Sequence, residues 1–311
     1  MATSKALSPA ANAAEDGEGR AQRLRAAAVP YLLLLPAIVA LAAISLYPTI
    51  DGIQASLHKF RYGLDMGFAG GDNFAAVYND PVFWKAIRTT VWFVILAVAI
   101  ETLLGLALAL VVARELHFSG LIRVTLILPM TIAPVVVGVI WRLLYASDIG
   151  VVNPLFEFLG LEAPNVLAHP TSAFLGLIAV DVWEWTPLLF LILLAGLHSL
   201  PQDPIEAARV DGASGIQTFF HHTLPLLRPV LLVAVVLRTI DAVGTFDQIY
   251  VLTKGGPGTA TQLISIYAYN TAFLFNQYGR AMAMLIGLLV CLLLLMAAAV
   301  HYMRRSAEMT E

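Results

Sequence analysis

Charge is scarce in this 311-residue chain: 13% of residues are Asp, Glu, Lys or Arg, against 59% hydrophobic. Length alone would allow two soluble domains, but this composition excludes them. The single cysteine, Cys291, rules out a disulfide within the chain and is read as packing in an apolar run. A nucleic-acid footprint is also missing. The one polar insert that imitates a helix-turn-helix carries only Arg209 and Arg228 as firm positive charges. No Gly-Lys-Ser/Thr follows the glycine-rich stretch Gly255–Gly256–Pro257, so it is not a phosphate cradle, and every part of an ATPase is lacking.

What the chain has is long apolar runs. Crossing a bilayer takes roughly 20 mainly apolar residues, and the runs at about 29–50, 88–113, 121–145, 173–197, 229–250 and 280–302 qualify. Backbone groups in lipid must bond within their own segment, so the spans are expected to be helices. Residues 1–28, rich in Ala, Ser, Glu and Arg, read as a disordered tail. Residues 306–311 read as a second tail. The first run is too long for a secretory signal and has no small-residue cleavage pattern, so it is expected to stay as an anchor.

Lysine and arginine placement gives the orientation. With the N-terminus inside, ten of the eighteen fall on the cytoplasmic side, six outside, and Arg142 and Arg238 within or at the edges of spans. The loop 146–172, with Asp148, Glu157 and Glu162 and no Lys or Arg, is the cleanest outer segment. Both termini and the insert 200–228 then face the cytoplasm.

That insert is the chain's most organised polar stretch. Asp203 is placed to cap a helix, with Pro204 at its first position and Glu206 three residues after the cap. Gly212 stops it. Ser214 and Gln217 repeat the capping pattern, and Pro225 is expected to limit the second helix. A short helix, a turn and another short helix outside the membrane follow.

Several spans contain residues that lipid does not tolerate. Glu101 lies in the second, serving either transport or a hydrogen bond between helices. Pro129 and Pro134 are expected to bend the third. The fourth carries Asp181, Trp183, Glu184 and Trp185, which suit either sugar binding or an aromatic belt. The fifth carries Asp241 and Asp247 beside Gly244. Acids at this depth also admit a proton-coupled secondary transporter or an intramembrane enzyme. The paired motif of the enzyme and the inverted repeat of the transporter are both lacking.

The insert, with Glu206, Ala207, Ala208, Asp211, Gly212, Ala213 and then Leu224–Pro225, resembles the EAA loop of ABC-importer permeases, departing from it at His222. Phe246-Asp247-Gln248-Ile249-Tyr250, then Leu252-Thr253, Gly255-Gly256-Pro257 and Thr261, resembles the signature of carbohydrate-importer permeases. So do Gly70, Asn73, Phe74 and Asp80–Trp84 in the first outer loop, where Asp80-Pro81 is expected to open a short interfacial helix. Trp141, Gly150 and Asn153 follow the same pattern.

The resemblance implies an all-α membrane protein of six transmembrane helices, in the type I ABC-importer permease fold with a cytoplasmic coupling helix. It implies one half of a sugar pathway in a bacterial plasma membrane. The partners would be a second related permease, two copies of a cytoplasmic ATPase and an extracytoplasmic sugar-binding protein. ATP and Mg would be bound by the ATPase, with no cofactor in this chain. The residues implied for coupling are Glu206, Ala207, Ala208, Asp211, Gly212, Ala213 and Pro225. Those expected along the substrate pathway are Trp183, Asp247, Gln248 and Tyr250.

Overall fold

The computed structural model describes residues 9–113 and 119–308 and is helical apart from one small hairpin. It separates into two units, residues 1–55 and 56–311. The first is essentially helix α1 (Pro9–Ser56), whose apolar part runs from Leu33 to Ser56. Residues 9–28, expected to be a disordered tail, thus form the start of a helix. Residues 1–8 and the final 309–311 lie outside the described residues.

The second unit opens with strands β1 (His58–Arg61) and β2 (Leu64–Phe68), paired antiparallel with His58 opposite Phe68. Helix α2 (Asp72–Tyr78) follows, and the Asn73 amide donates to the carbonyls of Ser56 and His58, closing the hairpin's base. Helix α3 (Pro81–Val112) starts at Asp80, whose carboxylate accepts from the Val82 N–H, with Pro81 in its first turn. The short helix expected at Asp80–Trp84 is therefore the first turn of this 32-residue helix. Nothing between Trp84 and the apolar run breaks it.

The run 121–145 is not one straight span. Helix α4 (Ser119–Ile127) ends in a tight turn at Leu128–Thr131, and α5 (Pro134–Leu144) departs at 99°. Pro129 and Pro134 remove two backbone donors around the break. Helix α6 (Val152–Phe158) lies in the loop 146–172, where Asn153 and Asn165 bond to each other. Helix α7 (Pro170–His198) is the most buried long helix.

Helices α8 (Asp203–Val210) and α9 (Gly215–Thr218) form the polar insert. A wide turn, Phe219–Thr223, leads without a break into α10 (Leu224–Gly244). Pro225 does not end the helical path, because it follows directly on the wide turn, which takes up its missing N–H. Helices α11 (Asp247–Leu252), α12 (Ile264–Tyr269) and α13 (Tyr278–Glu308) complete the chain. Four helices among the described residues are long and apolar enough to cross a bilayer, five with the bent pair. The run 229–250 is split at Thr245–Phe246 between α10 and α11, and α10 carries Arg228, Arg238 and Asp241.

The core explains how those charges are tolerated. On α3, Phe93, Ala97, Glu101, Gly105 and Ala109 recur every four residues and are all buried. That spacing forms one helical face. On α10 the matching stripe is Ala234, Arg238 and Ala242. Both stripes pack on α7, whose Asp181 and Glu184 are buried among Leu177, Leu189 and Phe190.

Candidate functional site

Three acids and one arginine of these spans meet at one place. The Arg238 guanidinium forks onto Glu101, Nε to Oε2 at 2.8 Å and an Nη to Oε1 at 3.1 Å. A short bond runs to Asp181, and the other Nη donates to Asp241 at 2.9 Å. The Trp185 ring lies under the guanidinium, its centroid 5.1 Å from the arginine carbon. Asp181 uses its second oxygen to accept from the Gln248 amide at 2.6 Å. Glu101, Asp181 and Arg238 are fully buried, while the Asp241 side chain keeps half its surface exposed. Buried charges persist when paired and hydrogen-bonded, and here α3, α7, α10 and α11 share one set of bonds. Glu101 is therefore an interhelical ion-pair partner, the second of the two roles its position allowed.

This network fixes the turn into α11. Gln248 is held to Asp181, and Gly138 of α5 lets the backbone of α11 come so close that a β-carbon there would sit 2.9 Å from the Gln248 carbonyl. Beside the turn is a cavity of about 390 Å³ lined by Pro134, Trp185, Asp241, Phe246, Asp247 and Gln248, among others. Trp185 and Phe246 supply aromatic surface, and Asp241, Asp247 and Gln248 supply polar groups.

Of the four substrate-pathway residues expected from sequence, the structure brings two, Asp247 and Gln248, to this cavity. Tyr250 stands behind it, stacked on Phe246 at 5.3 Å and edge-on to Tyr269 at 5.1 Å. Trp183 is elsewhere. It packs edge-on against Trp141 at 5.6 Å and lines a separate, apolar cavity of about 670 Å³ with Leu104, Pro129 and Pro187. Two residues apart on a helix means about 200° of rotation, so Trp183 and Trp185 cannot face one site. Trp185, Asp241 and Phe246 also line the cavity, although none was among the four residues expected along the pathway. Helical rotation was the signal for Trp185, since it shares a face with Asp181 and Glu184.

The polar insert has a different construction. Gln202 rather than Asp203 is the residue before α8, and no side chain caps it. At the other end Gly212 takes φ +85°, and the N–H groups of Gly212 and Ala213 donate to the carbonyls of Arg209 and Ala208. This is the glycine-terminated double bond that closes many helices. Ser214 and Gln217 bond each other's backbone in a full capping box. Glu206, Ala207, Asp211, Gly212 and Pro225 are exposed, Ala213 is half-buried, and Ala208 faces inward with Ile205. Around them Val210, Ile216 and Phe220 expose apolar surface, at 87%, 73% and 59%. A groove of about 760 Å³ runs beneath, lined by Leu197, Ile205, Arg209, Ile216 and Phe220 among others.

Residues 101–307 match the family model of the binding-protein-dependent transport system inner membrane component. The chain belongs to that family. It is 39% identical over 258 residues to the trehalose/maltose transport system permease protein MalF of Thermococcus litoralis, covering 83% of this chain and 87% of that one. It is 32% identical over 271 residues to the lactose transport system permease protein LacF of Rhizobium radiobacter, covering 85% and 90%. Among solved structures, a bacterial ABC transporter involved in import of the acidic polysaccharide alginate matches with a TM-score of 0.79. That match has 25% identity and covers 91% of this chain and 98% of the other. A second structure of the alginate transporter, in complex with an alginate pentasaccharide-bound periplasmic protein, gives 0.78 at 25% identity, covering 91% and 96%. The chain is thus an inner-membrane permease of an ABC transport system, a transport component and not an enzyme. That excludes the intramembrane enzyme and the proton-coupled transporter.

Proposed function

We propose that this permease forms one half of the translocation pathway of an ATP-driven carbohydrate importer. A second related permease supplies the other half. Two copies of a cytoplasmic ATPase bind ATP and Mg, and an extracytoplasmic binding protein delivers the sugar. Both termini and the insert 200–228 face the cytoplasm. The observation that carries the cargo class is the cavity at the α10–α11 turn. Aromatic faces suit the C–H surface of a sugar ring, and carboxylates accept its hydroxyl protons. The trehalose/maltose and lactose systems to which the relatives belong support the same class.

Coupling is assigned to α8 and its turn. Glu206, Ala207, Asp211 and Gly212 form a small, exposed ridge that an ATPase surface can approach closely, with Ala208 and Ala213 seating it and Pro225 starting the helix behind. Closure of the ATPase pair on ATP then moves α8, and the bundle opens outward to receive cargo. Hydrolysis resets it inward.

The test is ATP hydrolysis by the purified complex in lipid, with and without loaded binding protein. Stimulation by a sugar-loaded binding protein is expected, and stimulation by none of a broad sugar panel refutes the cargo class. Gly212→Leu puts a branched side chain at a positive φ, a conformation that costs about 1–2 kcal/mol outside glycine. It is expected to leave the protein in the membrane while uptake falls about tenfold or more. Normal uptake by that variant removes α8 from the coupling role.

A further inference from the structure

Family relatives and structural neighbours divide by cargo charge, since trehalose and maltose are neutral and alginate is acidic. The cavity at the α10–α11 turn bears on that division. We infer that Asp241 and Asp247 are specificity-determining residues that make this subunit's half of the pathway select uncharged, hydroxyl-rich saccharides over carboxylated ones. The inference rests on the reading of this cavity as part of a sugar pathway.

The charges on the cavity wall are of one sign. Asp241 and Asp247 line it, and no Lys, Arg or His is among its lining residues. Arg238, behind the wall, is fully buried, and every nitrogen of its guanidinium already donates to Glu101, Asp181 or Asp241. Its positive charge is surrounded by three carboxylates and cannot serve a fourth on a ligand without losing one of them. A carboxylated sugar in the cavity therefore meets two acids and no free cation, a repulsion that partial burial strengthens.

A neutral sugar meets acceptors instead. Asp247 is exposed at the first turn of α11, and Asp241 keeps half its side-chain surface free. Gln248 is fully buried on the wall. Its amide nitrogen is tied to Asp181, and its Oε1 has no hydrogen-bond partner among the described residues. A hydroxyl donates to the Asp241 and Asp247 carboxylates, and a second carboxylate cannot. Trp185 and Phe246 close the site with ring surface.

The experiment uses the complete transporter in proteoliposomes with its own binding protein. The probes are maltose, trehalose and lactose and their monouronate counterparts, in which one primary alcohol is a carboxylate. Uptake of neutral probes is expected, with the apparent KM of a uronate roughly tenfold higher or more, the scale of a like-charge contact in a partly wet site. Asp247→Asn, at an exposed position away from the buried ion pairs, is expected to narrow that ratio about threefold, and Asp247→Lys to reverse it. Asp241→Asn narrows it in the same direction. The same binding protein serves every variant, so a change in the ratio reports the permease. Equal transport of uronate and neutral probe by the unaltered protein overturns the inference and leaves the sugar reading standing. A ratio unmoved in all three variants overturns it as well. Uptake of no probe of either kind, together with no stimulation by the broad sugar panel, defeats the sugar reading itself, and this inference with it.

Discussion

Two arginines clamp this molecule, and they differ in almost every respect except geometry. Arg238 sits fully buried among Glu101, Asp181 and Asp241, joining α3, α7 and α10, with α11 tied on through Gln248. Arg280, at the start of α13, is a quarter exposed and reaches Asp80, which also caps α3 and accepts from the Tyr267 hydroxyl of α12. Both bring together residues far apart in sequence, 137 positions in one case and 200 in the other. The difference is dielectric. Around Arg238 the guanidinium, Glu101 and Asp181 are shut off from solvent, so each depends on the others. Around Arg280 solvent takes part of the load.

The comparison breaks most visibly at Arg238. Arg238→Met removes one positive charge and leaves Glu101 and Asp181 buried without a counter-charge, which costs about 3–5 kcal/mol. Thermal unfolding of the purified protein in detergent should show a large loss of midpoint, and membrane yield should fall with it. Removing both sides together, Arg238→Met with Glu101→Leu, should cost less than the two single changes added. Simple additivity would mean that the pair is not coupled. At the Arg280 clamp the effect is smaller. Asp80→Ala loses a helix cap, worth about 1 kcal/mol, together with the bonds to Tyr267 and Arg280. Arg280→Met, on the partly exposed side, should lose under about 1 kcal/mol by the same unfolding measurement. If the two arginine variants were equally destabilised, burial would not be what separates them.

Sequence made some of this plain and hid the rest for identifiable reasons. The capping box at Ser214 and the stop at Gly212 were legible because they are local: hydroxyl, amide and positive φ lie within a few residues of one another. The apolar runs were legible by length, although the bend between α4 and α5 turned the third into two pieces where prolines were already visible. Glu101 and Asp181 stood out as costly acids, but their partner did not. Arg238 reads as an edge charge until it is seen that Ala234 and Ala242, four residues to either side, put it on a buried stripe. No spacing rule connects it to carboxylates 57 and 137 residues away. Trp183 and Trp185 were separable in principle, because helical rotation sets them on opposite faces. Composition alone made them a single cluster.

The finest test of the Arg280 clamp is the proton on Tyr267. Helix α12 lies in the segment between the fifth and sixth apolar runs. There burial first, and then the hydrogen bond to and negative charge of Asp80, push the tyrosine hydroxyl up to about 12 from its usual 10.0. The folded value lies above the unfolded one. The contribution of this bond is therefore complete below about pH 10, and it is lost as pH rises through about 12. Ultraviolet absorbance titration of the protein against Tyr267→Phe should isolate one tyrosine ionising near that upper value. Arg280 pulls in the opposite sense, since its positive charge favours the phenolate. Arg280→Met should therefore move the ionisation higher still, while Asp80→Ala should bring it down. A Tyr267 that titrates at the ordinary tyrosine value would mean that Asp80 is not bonded to it. The Arg280 clamp would then reduce to a partly buried ion pair and a helix cap.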